Sequence, residues 1–191
     1  MTRNIENPNA RLDKGGIVAY PTESFYALGV KATNPQAIKQ LFHAKHREKG
    51  KPIALIASDL KQVQRYFFVS GEEQALMTRY WPGSLTIVLH PKKSIVTKAL
   101  GARNIGVRVP NHASARRLAA RAGAPITATS ANMSGQAPTK SARVIWRTFP
   151  DILIVPGRCG RQHKPSTVVQ IIKHKLIIHR QGAAHVHPLA A

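Results

Sequence analysis

The sequence predicts an α/β fold built on a mixed sheet with helices around it. Short, densely apolar segments alternate along the chain with segments whose apolar residues recur at helical spacing. Several apolar segments are joined by short links, which favours a mixed sheet because parallel neighbours need a longer crossover. The 191 residues contain no internal repeat and no linker that marks a second domain, so a single domain over 1–191 is expected.

The predicted strands are short runs rich in β-branched and other apolar residues. In chain order they are residues 15–20, 52–57, 85–90, 104–110, 125–129, 151–156, 166–172 and 175–180. The first runs into Pro21, which ends it in a turn. The last two are expected to pair as a hairpin because only a short link separates them.

The predicted helices begin at residues whose side chains can cap a helix N-terminus. The capping positions are Asn34, Ser58, Ser70 and Ser141. Pro35 suits the first turn of a helix that continues to about Lys45. Glu73 completes a capping box with the serine three positions before it. Gly123 is expected to close a basic helix over 112–122.

Charge is the unusual feature of the composition. The formal net charge is +21, from 29 Lys and Arg residues against 8 Asp and Glu residues. Residues 74–191 hold 18 of these cations and a single acid, Asp151. Such a field concentrates polyanions, and charge alone does not separate a nucleotide from RNA. We therefore expect contact with a polyanion of one of these kinds.

Other sequence features limit the class of protein. The N-terminal sequence lacks the apolar core of a secretory signal, and no apolar run approaches the ~20 residues that span a bilayer. Cys159 is the single cysteine, which excludes an internal disulfide and a cysteine metal cluster. A cytoplasmic protein without membrane contact is expected.

Several familiar catalytic and nucleotide-binding patterns are missing from the sequence. It lacks the G-x-x-x-x-G-K-[ST] phosphate loop, the G-x-G-x-x-G fingerprint, the H-E-x-x-H zinc pattern and the G-x-S-x-G elbow. Any nucleotide must therefore be bound by a different structural motif. No protein-ligated metal is predicted, since the histidines show no ligand spacing.

Four polar segments stand at the ends of predicted strands and helices. They are residues 19–29 (AYPTESFYALG), 44–52 (AKHREKGKP), 107–112 (VRVPNH) and 129–135 (TSANMSG). Singly, each has an ordinary explanation as a turn, a solvated basic helix end, an outward-facing arginine or a cap. Because ligands of α/β sheets bind in crevices at strand ends, we expect the four segments to converge on one cleft.

These segments, in this order, resemble the YrdC/TsaC family of threonylcarbamoyl-adenylate synthases. The matching motifs are YPTESFYALG, the K-x-R of Lys45 and Arg47, WPGSLT, VRVP, TSANMSG, STVV and HRQG. They span roughly residues 15–182 in family order, which leaves 183–191 as a flexible tail. The resemblance implies a YrdC-like twisted mixed sheet with a concave basic face, in the short single-domain form of the family.

The resemblance also implies an activity and a set of site residues. Family members combine L-threonine, bicarbonate and ATP into threonylcarbamoyl-AMP and pyrophosphate, for a partner transferase that modifies an adenosine of certain tRNAs. By match of motif, the residues implied to contact ATP are Lys45, Arg47, Lys49, Asn132 and Arg180. Those implied to contact threonine are Thr22, Arg108, Ser130 and Ser166, with Arg108 pairing the carboxylate.

The chemistry of that reaction agrees with a site poor in carboxylates. Attack of a carbamate on the α-phosphorus develops negative charge on phosphate oxygens and on departing pyrophosphate, which calls for positioning and cationic stabilisation. Lys45 and Arg47 are the expected catalytic cations, and they share one face if the backbone there is extended. Mg²⁺ is expected to accompany ATP, held chiefly by substrate oxygens. Glu48 stands next to this pair, where the family often has proline.

The alternative is a binding module that contacts RNA or the ribosome without catalysis. It explains the net charge of +21 but gives no reason for the neutral Ser130 and Asn132 side chains or for an arginine between valines. The two hypotheses differ in one measurable respect. ATP with L-threonine should raise the melting temperature more than ATP alone only for the enzyme. Contact with tRNA is compatible with both.

Overall fold

The computed structural model describes residues 7–48 and 51–187. Its helices are α1 (Pro8–Asp13), α2 (Pro35–Ala44), α3 (Leu60–Tyr66), α4 (Gly71–Tyr80), α5 (Thr97–Leu100), α6 (Ala113–Ala122) and α7 (Ala142–Thr148). Its strands are β1 (Val18–Pro21), β2 (Tyr26–Gly29), β3 (Leu55–Ile56), β4 (Leu85–Leu89), β5 (Ile105–Arg108), β6 (Ile126–Thr127), β7 (Thr129–Ser130), β8 (Leu153–Ile154), β9 (Thr167–Ile172) and β10 (Lys175–Arg180). Over those residues, no helix has the length and apolar character needed to cross a membrane.

The strands form two sheets, and both are mixed. The four-stranded sheet has the order β7-β2-β1-β8, with β1 antiparallel to β2 and parallel to β8. The six-stranded sheet has the order β10-β9-β4-β5-β3-β6, with β4 antiparallel to β5 and parallel to β9. The predicted α/β class and mixed pairing are confirmed, and β9 and β10 form the expected antiparallel hairpin.

The strand predicted over 125–129 is divided between the two sheets. Its first part, β6, pairs with β3 in the six-stranded sheet, whereas β7 pairs with β2 in the four-stranded sheet. Ala128 stands between them and donates its N–H to the carbonyl of Ala54 at 2.8 Å. This crossing segment links the sheets and explains why two sheets replace the one that was expected.

Most predicted helix ends are confirmed. Asn34 caps α2, Ser141 caps α7, and Ser70 opens α4 in a capping box with Glu73. Gly123 follows α6 in the left-handed conformation with φ of 69°, where glycine carries no side-chain penalty.

The cap of α3 differs from the prediction. The Asp59 carboxylate accepts the N–H of Gln62 at 2.8 Å, and the Ser58 hydroxyl donates to the same carboxylate at 2.9 Å. Asp59 stands three residues before that amide, which is the position from which a cap side chain reaches it. The short elements α1, β2 and α5 were not predicted, because each has too few residues to show a period.

Two hydrophobic clusters hold the sheets and helices together. The larger includes the fully buried Ile38 of α2, Leu76 of α4 and Ile87 of β4. The smaller joins β1 to α6 through Val18 and Ala119, also fully buried. Burying each large aliphatic side chain contributes about 1.5–3 kcal/mol. The packed core thereby fixes the strands whose polar ends build the candidate site.

Residues 183–187 fall within the segment predicted as a flexible tail, yet they pack against the body. The carbonyl of Ala184 accepts the Thr167 hydroxyl at 2.6 Å, and Ala183 donates its N–H to the carbonyl of Pro165 at 2.9 Å. Val186 is buried against the larger cluster. These contacts join residues 183–187 to the body of the fold. Residues 188–191 lie outside the described residues.

Candidate active site

A polar cleft of about 610 Å³ lies between residues of the two sheets. Its lining brings together several residues predicted for the site: Thr22, Arg47, Arg108, Ser130, Ser166 and Arg180. The expected convergence of the four polar segments is observed, since each contributes a residue to this lining. Of the other predicted residues, Lys45 and Asn132 stand behind the lining, and Lys49 lies outside the described residues.

The turn after β1 is organised by Thr22. Its Oγ1 donates to the carbonyl of Phe25 at 2.7 Å and accepts the N–H of Ser24 at 3.2 Å. Gly160 closes over this turn and donates its N–H to the carbonyl of Thr22 at 2.9 Å. A Cβ on Gly160 would lie 2.5 Å from the carbonyl oxygen of Glu23, so glycine is required for this close approach.

Arg108 enters the cleft from β5. Val107 and Val109 on either side are buried in the core, so the strand alternation turns Arg108 toward the cleft. Its guanidinium pairs with the Glu23 carboxylate, and the two side chains are only 11% and 12% exposed. One Nη atom makes this bond, and the rest of the guanidinium fork retains donors that can face a second anion.

Arg180 and Ser166 form another part of the cleft wall. Arg180 donates from Nε and Nη2 to the carbonyl oxygen of Ser166, at 3.1 Å and 2.9 Å. The Ser166 hydroxyl lies 2.8 Å from the hydroxyl of Thr86. Burial lowers the pKa of Arg180, and the positive charge of Arg108 lowers it further. Two arginines therefore contribute positive charge to the same cleft.

Lys45 ties the end of α2 to the segment that follows β7. Its Nζ donates to the carbonyl oxygens of Ser130 and Asn132, both at 2.5 Å. The N–H of Ser134 donates in return to the carbonyl of Lys45 at 3.2 Å. The lysine is 1% exposed, and burial, with a lesser effect from Arg47, lowers the pKa of Lys45 to about 8. An ammonium group has three donors, so one N–H remains beyond the two carbonyl bonds.

The backbone reverses between Lys45 and Arg47. His46 has a φ of 48°, so the segment is not extended and the condition for a shared face is not met. Arg47 lines the cleft, and its Nε and Nη2 donate to the carbonyls of Lys51 and Pro52 at 3.1 Å and 2.9 Å. Burial lowers the pKa of Arg47. The two cations of the motif thus have different hydrogen-bond partners.

Asn132 stabilises the turn after β7. Its amide nitrogen donates to the carbonyls of Met133 and Gln136 at 2.8 Å and 2.7 Å. Its Oδ1 is buried and has no hydrogen-bond partner in the described part of the chain. Because the amide hydrogens are used within the turn, contact between this amide and a phosphate requires the exchange of one of these bonds.

Carboxylates close to the cleft are already paired. Glu23 bonds to Arg108, and Glu48, which follows the K-x-R motif, bonds to Lys51 at 2.9 Å. Within residues 7–48 and 51–187, no group of three or more His, Cys, Asp or Glu side chains is arranged to hold a metal ion.

Arg47 also lines a second cavity, a groove of about 940 Å³ beside α2 and α5. This groove combines apolar side chains such as Phe42 and Val96 with the cations Lys39 and Lys98. Acidic residues are missing from the described part of its lining. The same arginine thus borders a polar cleft and a more apolar, basic groove.

Sequence reasoning missed two residues that shape the cleft. Glu23 holds Arg108, but an acid within a turn motif is ordinary and gave no separate signal. Thr86 contacts Ser166 and is 2% exposed within β4. The available signal was its hydroxyl, a polar group inside the otherwise apolar run LTIVL.

The chain matches a known family over most of its length. Residues 10–182 match the family Sua5/yciO/yrdC, which is described as telomere recombination. The chain belongs to this family. The resemblance inferred from the order of the motifs is therefore confirmed.

Two curated relatives are each 38% identical to this chain over the aligned residues. The threonylcarbamoyl-AMP synthase of Chromobacterium violaceum is 38% identical over 174 residues, which cover 89% of this chain and 90% of the relative. The threonylcarbamoyl-AMP synthase of Neisseria gonorrhoeae is 38% identical over 162 residues, covering 83% and 86%.

Solved structures of the Sua5/yciO/yrdC family share the fold. Sua5 of P. abyssi complexed with L-threonine gives a TM-score of 0.84 at 30% identity over 91% of this chain. YciO of E. coli gives a TM-score of 0.81 at 28% identity, over 94% of this chain and 89% of its own. The chain spans about half the length of the Sua5 chains, 55% and 52% in two structures. The YrdC-like α/β fold implied by the motifs is confirmed.

Proposed function

We propose that this member of the Sua5/yciO/yrdC family is an L-threonylcarbamoyladenylate synthase, a nucleotidyltransferase. It forms threonylcarbamoyl-AMP and pyrophosphate from L-threonine, bicarbonate and ATP, for the modification of tRNA to threonylcarbamoyladenosine. Support comes from relatives of that name that are 38% identical over at least 83% of the chain. The observation that carries the proposal is the cleft in which Arg47, Arg108 and Arg180 meet the hydroxyls of Thr22 and Ser130.

The reaction joins three small molecules and needs mainly charge and placement. The amine of threonine adds to bicarbonate with loss of water to give a carbamate. A carbamate oxygen then attacks the α-phosphorus of ATP, a new P–O bond forms, and the bond to pyrophosphate breaks. Negative charge grows on the phosphate oxygens and on the leaving group, so cations held in place beforehand lower the barrier. The arginines that line the cleft supply such charge.

Threonine is assigned to the part of the cleft around Arg108. The free donors of its guanidinium pair with the threonine carboxylate, as a planar fork suits a carboxylate. The hydroxyls of Thr22, Ser130 and Ser166 surround the rest of the amino acid. This assignment is supported by the cleft lining, which includes all four residues.

ATP is assigned to the part of the cleft around Arg47. Arg47 and Arg180 bind phosphate oxygens, with Lys49 assisting from the adjoining segment. Lys45 and Asn132 act from behind the lining: the lysine offers its remaining N–H, and the asparagine exchanges a bond within its turn. Lys45 and Arg47 are the proposed catalytic cations. Magnesium enters as the ATP complex and is held by phosphate oxygens, in keeping with the paired carboxylates around the cleft.

Partners follow from the same proposal. The product passes to a transferase of the tRNA-modification pathway, and direct contact with tRNA or another RNA is supported by the net charge of +21. A cytoplasmic location is part of the proposal, as is the reading of the chain as one YrdC-like domain. An RNA-binding role without chemistry remains the competing function.

Thermal unfolding with small ligands separates the two functions. ATP with magnesium and L-threonine should raise the melting temperature more than ATP with magnesium alone, because a second ligand that binds the folded protein adds its own stabilisation. A binding module would respond to RNA in a salt-dependent way and not to threonine. Stabilisation by ATP with no added effect of threonine would count against the synthase.

Release of pyrophosphate tests the reaction itself. We expect release that depends on L-threonine, bicarbonate and ATP together, and that stops when any of the three is left out. D-threonine is the matched control, since it is the enantiomer of L-threonine and carries the same chemical groups. Pyrophosphate release that continues unchanged without threonine would contradict the proposed activity.

A further inference from the structure

Glu23 is a largely buried acid that pairs with Arg108, a residue of the cleft lining. Its carboxylate accepts a bond from Arg108, and the side chains of the pair are 12% and 11% exposed. Arg108 lines the cleft, whereas Glu23 does not. The second carboxylate oxygen, Oε2, is buried and has no hydrogen-bond partner among the described residues. Glu23 therefore faces the guanidinium from behind the cleft surface.

The backbone of Glu23 is held by a neighbouring loop. Its carbonyl accepts the N–H of Gln162 at 3.1 Å, and the carbonyl of Thr22 accepts the N–H of Gly160 at 2.9 Å. The loop approaches so closely that a Cβ on Gly160 would lie 2.8 Å from the Cα of Glu23. These contacts leave little freedom to the main chain, so the carboxylate is presented to Arg108 from a fixed position.

Arg108 needs such an anchor because its other charged neighbour repels it. The charge of Arg108 contributes to the lowered pKa of Arg180, after the larger effect of burial. Both guanidinium groups line one cleft, and their like charges repel each other. The Glu23 carboxylate supplies an attraction of opposite sign on the far side of Arg108.

We propose that Glu23 is a positioning residue that holds Arg108 in the orientation that receives the carboxylate of the amino-acid substrate. The inference rests on the proposed function, which places threonine at Arg108. A planar fork binds a carboxylate well only in a narrow range of orientations, so an anchor on one Nη atom fixes the direction of the remaining donors. Glu23 itself does not touch the substrate.

The inference predicts a selective loss of amino-acid affinity. Glu23→Gln keeps the size of the side chain but removes its charge, so Arg108 is released toward solvent or toward other acceptors. We expect KM for L-threonine to rise about tenfold to a hundredfold, the range that a displaced binding group costs, while KM for ATP changes less than about twofold. Glu23→Asp keeps the charge and should restore part of the threonine affinity.

A double-mutant cycle separates positioning from a merely structural role. If Glu23 acts through Arg108, then Glu23→Gln should add little to the loss of threonine affinity in an Arg108→Gln background. If Glu23 is merely structural, Glu23→Gln should weaken threonine binding as much in Arg108→Gln as in wild type. It should also lower the melting temperature of the ligand-free protein by a similar amount in both backgrounds. Glu48→Gln is the control, because that acid pairs with Lys51 at the surface, where the side chains are 75% and 60% exposed.

Threonine binding measured by calorimetry in the presence of a non-hydrolysable ATP analogue gives distinct outcomes. Selective weakening in Glu23→Gln, recovery in Glu23→Asp and a non-additive cycle would support the inference. Wild-type threonine affinity in Glu23→Gln, or equal losses of threonine and ATP affinity, would overturn it while leaving the synthase proposal intact. Failure of the wild-type protein to bind threonine at all would overturn the proposed function instead.

Discussion

The ammonium group of Lys45 lies 2.5 Å from the carbonyl oxygen of Asn132, although the two residues are 87 positions apart in the chain. The same ammonium bonds to the carbonyl of Ser130, also at 2.5 Å. A lysine thus joins the end of α2 to the turn after β7, and both segments border the cleft. Its side chain is almost fully buried, so its charge is held away from water at a cost that depends on pH.

The stability contributed by Lys45 should rise with pH. Burial lowers the pKa of Lys45 to about 8 in the folded protein, whereas an unfolded lysine has a pKa of ~10.4. Between these values the unfolded chain binds a proton that the folded protein has lost, so the free energy of unfolding increases as pH rises. The difference in this free energy between wild type and Lys45→Met should therefore shift in favour of wild type from about pH 8 to about pH 10.

Urea unfolding at several pH values across that window measures this difference. Lys39→Met is the matched control, because Lys39 lies on the same helix but is exposed. Its difference from wild type should stay flat across the window. Parallel stability curves for wild type and Lys45→Met would contradict the lowered pKa.

Arg47→Lys should impair the reaction despite keeping the charge. Arg47 lines the cleft and also donates to two backbone carbonyls, at 3.1 Å and 2.9 Å. A lysine ammonium lacks the planar fork that serves both tasks. We expect kcat/KM for ATP to fall about tenfold to a hundredfold, less than the roughly hundredfold to thousandfold cost of losing a preorganised donor outright, because the positive charge remains. Steady-state release of pyrophosphate measures this change. The control is Arg143→Lys, at an exposed position of α7. An unchanged rate in Arg47→Lys would show that the planar guanidinium is not needed for the reaction.

Much of this architecture could be predicted from local sequence. The caps Asn34 and Ser70, the terminal hairpin and the apolar run of β4 are signals within a few residues, and the structure follows them. The order of the motifs likewise predicted that Thr22 and Arg108 share a cleft, and both line it. Such features depend on neighbours in the chain, which periodicity and motif spacing can register.

The surroundings of the cations could not be predicted in this way. A lysine in the run AKHREKGKP has the pattern of a solvated helix end, yet Lys45 is buried because a segment from a distant part of the chain supplies two carbonyls. His46, between Lys45 and Arg47, has a positive φ. This conformation is uncommon for residues other than glycine, so the sequence gives no sign of it. The pairing of Glu23 with Arg108 also depends on how β1 and β5 are placed in three dimensions. Tertiary contacts decide these features.

Asn132→Asp should destabilise the turn after β7. The amide nitrogen of Asn132 donates to two carbonyl oxygens, and a carboxylate there would set negative oxygens against both. We expect the free energy of unfolding to fall by about 2–3 kcal/mol at neutral pH, with partial recovery in acid as the new carboxyl group is protonated. Urea unfolding measures the change, and Asn111→Asp at an exposed position is the control. Equal stability of the two variants would show that the amide bonds contribute little.

Gly182→Ala should disturb the cleft from outside its lining. A Cβ on Gly182 would lie 2.3 Å from the carbonyl oxygen of Pro165 and 2.5 Å from the carbonyl carbon of Ser166, so the backbone at Ser166 must move. That backbone carbonyl holds Arg180, and the hydroxyl of the same residue is assigned to threonine. We expect a stability loss of about 1–3 kcal/mol, with the KM values for threonine and ATP each raised about tenfold. Thermal unfolding and pyrophosphate release measure the two effects. Gly71→Ala is the control, because a Cβ there meets nothing within 4 Å. If Gly182→Ala matched Gly71→Ala in both measurements, the close packing of the HRQG segment against Ser166 would have no part in shaping the cleft.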